Sequence, residues 1–403
     1  MATLPVPCDL IPEILIRLGV KDLLRFRCVS KQWCSLIDDP DFIKLHLSRS
    51  RKRNTHFSLV FKVCHLIPVD LNSFVIPPVL NHPFSDEAFC TQVLGSCNGL
   101  LALHNGEQDI ALWNPLKRKS HMLPFNEIKF PPYFCFLQFI VYGFGHDPIS
   151  DDYKLVRMVQ FDGRDDDSFG SEVKVYSLRT NSWRRIKDFP FYLYKRADGY
   201  LQGESGVLAN NALHWVVSKK PKSDTRSFVV AFDIGTEEYR VVELPDCLDQ
   251  GFRMNVKSLD GSLCLIANYC EVHVVDIWMM KEYGVKESWT KLVSFNQSKP
   301  FDFVLPLAFS KNGDQVLLNI DGNEVVWCDL RSKRVEKTRF RCLSGAHMLV
   351  ESLVPLNDND AVINKKVMAR KRRREMVRKS RKKKNTKRFR FRVWNIEKAG
   401  KSE

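Results

Sequence analysis

Short apolar runs with the alternation of β-strands recur through the middle of this 403-residue chain, and each ends at a small polar residue that starts a turn. The clearest copies are residues 111–114, 174–177, 230–233, 273–276 and 326–329. A tight turn followed by another strand precedes several of them, at 98–99, 210–211 and 260–261. A period of about 50 residues with about four strands per unit predicts β-propeller blades. The chain has no Gly-Gly pair, so the signature of a regular kelch blade is absent and another tandem β-repeat stays open.

The first fifty residues follow a helical period instead. Apolar residues at i, i+3, i+4 and i+7 form one helix stripe, and here they are Ile11, Ile14, Leu15 and Leu18. Pro12 falls in the first turn of this helix, and Gly19 ends it. Residues 21–28 predict a second short helix, and Ser30 is placed to cap a third.

A fourth helix is predicted to begin at Asp41, with Phe42 and Leu45 facing inward. Helices this short bury little apolar surface, and units below about 40–50 residues usually need a partner, a metal or a disulfide. The chain has no C-x-x-C pair and no histidine pair at metal-ligand spacing. The surplus of apolar residues therefore predicts a protein partner laid against these helices.

The overall composition is that of a folded protein in a reducing compartment. Apolar residues make up 44% of the chain, and the 12 cysteines are scattered through apolar segments as buried free thiols would be. The best candidate for a membrane span, residues 133–144, is too short, and no basic region precedes an apolar run at the N-terminus. We therefore expect neither a membrane partner nor a secretory signal.

The sequence carries no motif for catalysis or for a cofactor. The phosphate-binding pattern G-x-x-x-x-G-K-[ST] is absent, and Val207 stands where a nucleophile elbow at 203–207 requires its second glycine. The segment 143–145 is followed by Pro148, which excludes a dinucleotide fingerprint. We therefore predict a non-catalytic protein with no cofactor and no metal site.

The N-terminal residues resemble the plant F-box pattern at 6–7, 11–15, 17–18, 20–31 and 33, although Gly19 stands where that family usually has proline. The resemblance implies a three-helix F-box that binds a Skp-type adaptor, which ties the chain to a cullin and a RING subunit. It also implies adaptor-binding residues, and these are Pro7, Ile14, Leu15, Leu18, Leu23, Leu24, Val29 and Trp33. For Trp33 a role in the helical core is the equal alternative.

The middle of the chain resembles the plant F-box-associated domain, which is often described as kelch-like and is taken to recruit the substrate. The residues that carry this resemblance are 96–100, 113–115, 142–145 and 151–154. The chain is similar to the pathogenesis-regulating F-box/kelch-repeat group, which implies a role in plant defence. An acidic loop at 162–167 and the aromatic stretch 189–200 are candidates for binding the unknown target, with solvated loops as the alternative.

The net charge of +15 belongs to one segment, because residues 365–392 hold 17 Lys and Arg residues and the single acid Glu375. Charge this dense predicts disorder. The clusters are candidates for a nuclear import signal through Arg370, Lys371, Arg372, Arg373, Arg374, Arg381, Lys382, Lys383 and Lys384. Nucleic-acid binding through phosphates and a purely solvated extension are the alternatives.

These observations predict a multidomain α+β protein. We expect a small three-helix F-box at 1–48, a connector and the strands leading into the next domain at 49–89, an all-β propeller-like repeat domain at 90–356, and a disordered basic tail at 357–403. The predicted function is the substrate-recognition subunit of an SCF-type cullin–RING ubiquitin ligase, located in the nucleus and cytoplasm. The alternative is a nuclear scaffold that binds nucleic acid through its tail.

Overall fold

The computed structural model describes residues 10–356, except 53–56, 63–65, 71–80, 86–90, 107–108, 130, 132–135, 164–167, 194–204, 220–226, 247, 249–250, 270, 297–303, 323 and 339–345. Residues 10–356 belong to one compact unit. Within the described ranges, no helix is long and apolar enough to cross a membrane. The basic clusters of the C-terminal tail lie outside the described residues, as does Pro7.

Four helices come first, and they are α1 (Leu10–Leu15), α2 (Val20–Phe26), α3 (Lys31–Asp38) and α4 (Pro40–Lys52). Ser30 caps α3 as predicted, because its hydroxyl accepts a hydrogen bond from the Trp33 backbone N–H at 3.1 Å. Asp39 does the same for α4, since its Oδ1 accepts from the backbone N–H groups of Asp41 and Phe42. The fourth helix therefore starts at Pro40 and runs beyond the predicted F-box boundary at residue 48.

Five antiparallel blades follow. Blade 1 contains β3 (Gln92–Cys97), β4 (Leu100–His104), β5 (Ile110–Asn114) and β6 (Lys119–Met122). Blade 2 contains β7 (Phe136–Asp147), β8 (Asp152–Asp162), β9 (Phe169–Ser177) and β10 (Ser182–Arg185). Blade 3 contains β11 (Tyr192–Leu193), β12 (Val207–Ala209), β13 (Ala212–Ser218), β14 (Phe228–Asp233) and β15 (Tyr239–Val242). In blade 3, β11 and β12 both pair with β13, so its innermost strand is interrupted.

Blade 4 contains β16 (Arg253–Leu259), β17 (Ser262–Tyr269), β18 (Val274–Met280) and β19 (Trp289–Asn296). Blade 5 contains β20 (Val304–Phe309), β21 (Gln315–Ile320), β22 (Glu324–Asp329) and β23 (Val335–Lys337). A three-stranded sheet closes the ring, because β1 (Phe57–Lys62) pairs with both β2 (Leu66–Asp70) and the C-terminal strand β24 (Ala346–Val350). β24 contacts β3 on one side and β20 on the other, so the two ends of the domain are joined in one sheet.

The repeats seen in the sequence correspond to defined parts of each blade. The apolar runs that end in a polar turn residue are the third strands, β5, β9, β14, β18 and β22. The tight turns join first to second strands, and Asn98 and Gly99 both have positive φ there, which asparagine and glycine tolerate. One detail of the prediction is wrong. Asp276 lies inside β18, which continues to Met280, and does not begin a turn.

The helices and the propeller share one apolar core. This cluster combines buried residues of the helices with others from blades 1 and 2 and from the C-terminal residues 351–356; examples are Leu15, Ile37, Leu100, Leu155 and Leu353. Full burial of such a side chain stabilises a fold by about 1.5–3 kcal/mol. The partner that completes the core of the short helices is therefore largely the propeller of the same chain, which the sequence argument for an external partner did not anticipate.

Candidate functional site

The F-box helices keep part of their apolar surface out of the shared core. Leu10 and Ile14, one turn apart on α1, are 51% and 48% exposed, and Val29 after α2 is 59% exposed. Leu15 and Leu23 are completely buried, so they belong to the core and cannot form part of a docking surface in this conformation. Two of the predicted adaptor-binding residues are thus removed from the surface, while Leu10 was missed because it precedes the predicted helix stripe.

Three further predicted residues take an intermediate position. Leu18, Leu24 and Trp33 are partly buried and pack against the shared core. The Trp33 ring meets that of Phe26 edge-on at 5.7 Å between centroids, which joins α3 to α2. Trp33 therefore serves the helical core and still presents part of its ring to solvent. Whether these residues contact an adaptor stays a prediction.

Leu45 on α4 does not face inward as predicted, because it is 62% exposed. The buried residues of this helix are Phe42, Ile43, His46, Leu47 and Ser50. They occupy one side of a helix that starts at Pro40, and Leu45 falls on the other side. His46 is held by its Nε2 atom, which lies 2.9 Å from the Leu18 carbonyl oxygen. Leu45 thus adds to the exposed apolar residues of the helices.

An ion pair links α2 to α3 inside the F-box. The Arg27 guanidinium donates from Nε and Nη2 to Asp38 Oδ2 at 3.1 and 2.6 Å. The hydrogen bond to the Asp38 carboxylate raises the pKa of Arg27. This fork ties the C-terminal end of α2 to the last residue of α3, so the loop at Val29 connects two helices that are held together.

Polar contacts fasten the F-box to turns of the propeller. Lys44 Nζ lies 2.7 Å from Asp151 Oδ2 in the β7–β8 turn, and this hydrogen bond raises the pKa of Lys44 and lowers the pKa of Asp151. Arg51 of α4 donates to Asn98 Oδ1 in the β3–β4 turn. We call the side that carries the turns between first and second strands and between third and fourth strands the F-box face.

Residues 351–356 lie where the F-box, blade 1 and the ring closure meet. The buried Asn114 side chain donates to the carbonyl oxygens of Ser352 and Val354 at 3.1 and 2.9 Å. A Cβ atom on Gly99 would lie 2.2 Å from the Cβ of Ser352, so only glycine leaves room for this segment. Two motifs that carry the family resemblance, around Asn98 and Asn114, therefore hold the C-terminal segment in place.

The opposite side of the propeller, which we call the distal face, carries the turns between second and third strands. Neighbouring strands of a blade run antiparallel, so these turns lie at the opposite strand ends from the turns at Asn98 and Asp151, which contact the F-box. The predicted acidic loop follows β8 and is such a turn. Asp162 is described and half-buried at the end of β8, and residues 164–167 lie outside the described residues.

The second predicted target-binding stretch begins with residues 189–193, which we call the strap. Gln160 of β8, itself buried, holds the strap from blade 2. Its Nε2 donates to the Phe191 carbonyl at 3.0 Å, and its Oε1 accepts from the Leu193 N–H at 2.9 Å. The Gln160 amide thus satisfies backbone groups of the strap as a neighbouring strand would.

The strap also pairs with blade 3. Tyr192 lies opposite Ser218, at the end of β13 that is remote from the turn joining β12 to β13. The strap therefore bridges blades 2 and 3 at the distal face. Residues 194–200 of the predicted stretch lie outside the described residues.

A cluster of metal-ligating side chains is absent from the part of the chain that the structure describes. There, no group of three or more His, Cys, Asp or Glu side chains is arranged to hold a metal ion. The nuclear-signal candidates, which are Arg370, Lys371, Arg372, Arg373, Arg374, Arg381, Lys382, Lys383 and Lys384, lie outside the described residues.

Comparison with known families fits this arrangement of helices and blades. The F-box domain matches residues 6–45, and the F-box associated beta propeller domain matches residues 60–357. The chain therefore belongs to the F-box proteins that carry an F-box-associated propeller, which confirms the resemblance and the fold class predicted from the sequence. Proteins of this family are typically non-catalytic adaptors.

Full-length relatives agree with the family assignment. F-box protein CPR1 of Arabidopsis thaliana is 40% identical over 379 residues, which cover 88% of this chain and 89% of that protein. An F-box/kelch-repeat protein of the same plant is 31% identical and covers 78% of this chain and 85% of its own length. Among solved structures, an oligogalacturonate lyase from Vibrio parahaemolyticus matches 68% of this chain and 70% of its own at 11% identity and a TM-score of 0.39. A likeness this low carries no argument about activity.

Proposed function

We propose that this chain is the substrate-recognition subunit of an SCF-type cullin–RING ubiquitin ligase. Its F-box binds a Skp-type adaptor, which connects it to the cullin and the RING subunit, and its propeller holds a target protein. The chain makes and breaks no bond in this role. Holding a target lysine near the conjugating enzyme raises the local concentration of the two reactants, which is sufficient to favour transfer.

The observation that carries the proposal is the apolar surface left on the F-box after its core has been completed by the propeller. Leu10, Ile14 and Val29 remain exposed although a shared core lies beneath them. Exposed apolar residues grouped on short helices are typical of a protein-docking surface. The match to the F-box domain over residues 6–45 supports a Skp-type adaptor as the partner of that surface.

The test is co-purification of the full chain with a purified Skp-type adaptor. Replacing Leu10, Ile14 and Val29 together by serine removes apolar contact area without touching the core, and we expect adaptor affinity to fall about a hundredfold. The matched control replaces Val241 and Val335, which are exposed on outer propeller strands, and should leave binding unchanged. Full adaptor binding by a folded triple variant would refute the proposal.

We also propose that the protein is present in the nucleus and the cytoplasm, with the basic clusters of residues 365–392 as the import signal. The support is the sequence alone, since 17 Lys and Arg residues crowd this segment. A fluorescent fusion that lacks 365–392 should lose its nuclear fraction and keep adaptor binding. An unchanged nuclear fraction would contradict the role of this segment.

A further inference from the structure

The strap carries a row of aromatic rings at the distal face. Phe191 meets Phe228 of blade 3 edge-on at 5.3 Å and Phe189 at 5.6 Å. On the other side, Tyr192 meets Phe169 of blade 2 at 5.5 Å. Phe189 and Tyr192 are buried and anchor the row, whereas Phe169, Phe191 and Phe228 are partly exposed. The row thus has a buried base and an accessible edge.

Exposed lysines lie on both sides of the row. Lys219 directly follows Ser218, which pairs with the strap, so its backbone lies beside the strap at the end of β13. Lys187 follows β10 of blade 2, and both lysines are exposed. Asp188 lies between Lys187 and the strap, and its carboxylate pairs with Arg185 at 2.9 Å. The strap is therefore bordered by one exposed lysine from blade 2 and one from blade 3.

We propose that the strap and its flanking lysines bind an extended, acidic segment of the target protein that carries an aromatic residue. The aromatic residue packs on the exposed edges of Phe191 and Phe228, and acidic residues beside it pair with Lys187 and Lys219. This inference rests on the proposed function, in which the propeller holds the target.

The geometry favours a peptide over a small ligand. Gln160 and Ser218 hold the strap in a fixed conformation, so the site needs no ordering step when a segment binds. Aromatic side chains with fixed backbones are common anchors at protein interfaces. The distal face is also directed away from the F-box contacts, which leaves it accessible while an adaptor is bound.

The experiment measures fluorescence anisotropy of three labelled decapeptides with the full chain bound to its adaptor. The first peptide has one phenylalanine flanked by glutamates, the second has lysines in place of the glutamates, and the third has alanine in place of the phenylalanine. We expect the first to bind about tenfold more tightly than either of the others, with an affinity that falls as salt is raised.

Variants locate the site. Lys187→Glu combined with Lys219→Glu, both at exposed positions, should weaken the first peptide by about tenfold or more. Lys281→Glu with Lys311→Glu, exposed lysines of blades 4 and 5, makes the same charge change elsewhere and should have no effect. Phe191→Ser should abolish the advantage of the phenylalanine peptide.

Three results would overturn the inference: no binding of the first peptide at millimolar concentration, equal or tighter binding of the lysine peptide, or binding that the variants do not change. In each of these three cases the chain should still bind the adaptor if the proposed function holds, so the two failures can be distinguished. If the unmodified chain does not bind the adaptor, the proposed function is refuted instead. The peptides can then be measured with the chain in the absence of the adaptor, which still tests the strap.

Discussion

The F-box face and the distal face of the same propeller are built in different ways. On the F-box face, turns are held by ion pairs and buried amides, such as Lys44 with Asp151 and Asn114 with the backbone of residues 352 and 354. On the distal face, the strap presents partly exposed aromatic rings beside exposed lysines. One face is thus committed to contacts within the chain, and the other retains side chains suited to a partner.

The largest effect should come from truncating the chain directly after β24, at residue 350. A chain that ends at 350 loses the buried Leu353, Val354 and Leu356, each worth about 1.5–3 kcal/mol, out of a total stability of about 5–15 kcal/mol. We expect it to lose cooperative thermal unfolding and adaptor binding together. The control ends at 356 and should unfold like the full chain. Retained adaptor binding at 350 would show that the F-box folds independently of the propeller.

A smaller but still large effect is expected for Gly99→Ala. The new Cβ would meet Ser352 at 2.2 Å in a residue with φ of +81°, so both packing and backbone are strained. We expect a loss of about 2–4 kcal/mol in the free energy of unfolding. Gly261→Ala at φ of +79° has open space around it and should lose about 1 kcal/mol. Equal losses in denaturant titrations would mean that the C-terminal segment is not packed against blade 1.

The propeller interior should lose stability in mild acid because it contains a buried histidine. His214 is completely buried, its Nε2 lies 2.8 Å from the Tyr283 hydroxyl oxygen, and burial lowers its pKa to about 4. Because the unfolded state binds the proton near pH 6.5, stability should fall as the pH drops from about 6.5 to 4, and His214 should contribute about 3 kcal/mol of this fall.

Unfolding followed by denaturant across that pH range measures this. His214→Gln should make the decline smaller and leave the part that comes from the buried His104, whose pKa is also lowered to about 4, whereas His273→Asn, in a partly exposed turn, should leave the whole decline. A decline that His214→Gln leaves unchanged would assign the acid sensitivity to other groups.

The smallest effect is expected for the ion pair between the two domains. Lys44 and Asp151 are more than half exposed, so solvent screens their attraction and the pair should contribute little to stability. The pKa of Asp151 is lowered, so its contribution is present above the ordinary aspartate pKa and disappears as the pH falls through the lowered value. A double-mutant cycle of Lys44→Ala and Asp151→Ala at pH 7 and at pH 3 checks both statements. A coupling energy as large as the loss expected for Gly99→Ala would show that the pair is shielded from solvent.

The sequence predicted what depends on local patterns. The third strands, the tight turns at Asn98 and Asp260, and the Ser30 cap follow from alternation, φ preference and hydroxyl chemistry, all of which are local. The strand at Asp276 was cut short because a polar residue inside a strand resembles a turn.

What the sequence could not predict depends on contacts between distant residues. Whether Leu15 is buried and Leu45 exposed is decided by where the helices meet the propeller and by the start of α4 at Pro40. The hydrogen bonds of Asn114 could not be predicted either, since the residues that accept them lie more than two hundred positions later in the sequence. The strap was selected as an aromatic stretch, but Gln160, which holds it, gives no signal in the sequence.

The most direct test of the account is hydrogen–deuterium exchange of the full chain with and without a purified Skp-type adaptor. We predict added protection in α1, α2 and the loop at Val29, with unchanged exchange in the strap and the other described parts of the distal face. Protection of the distal face together with unchanged exchange in the helices would contradict the assignment of the two faces.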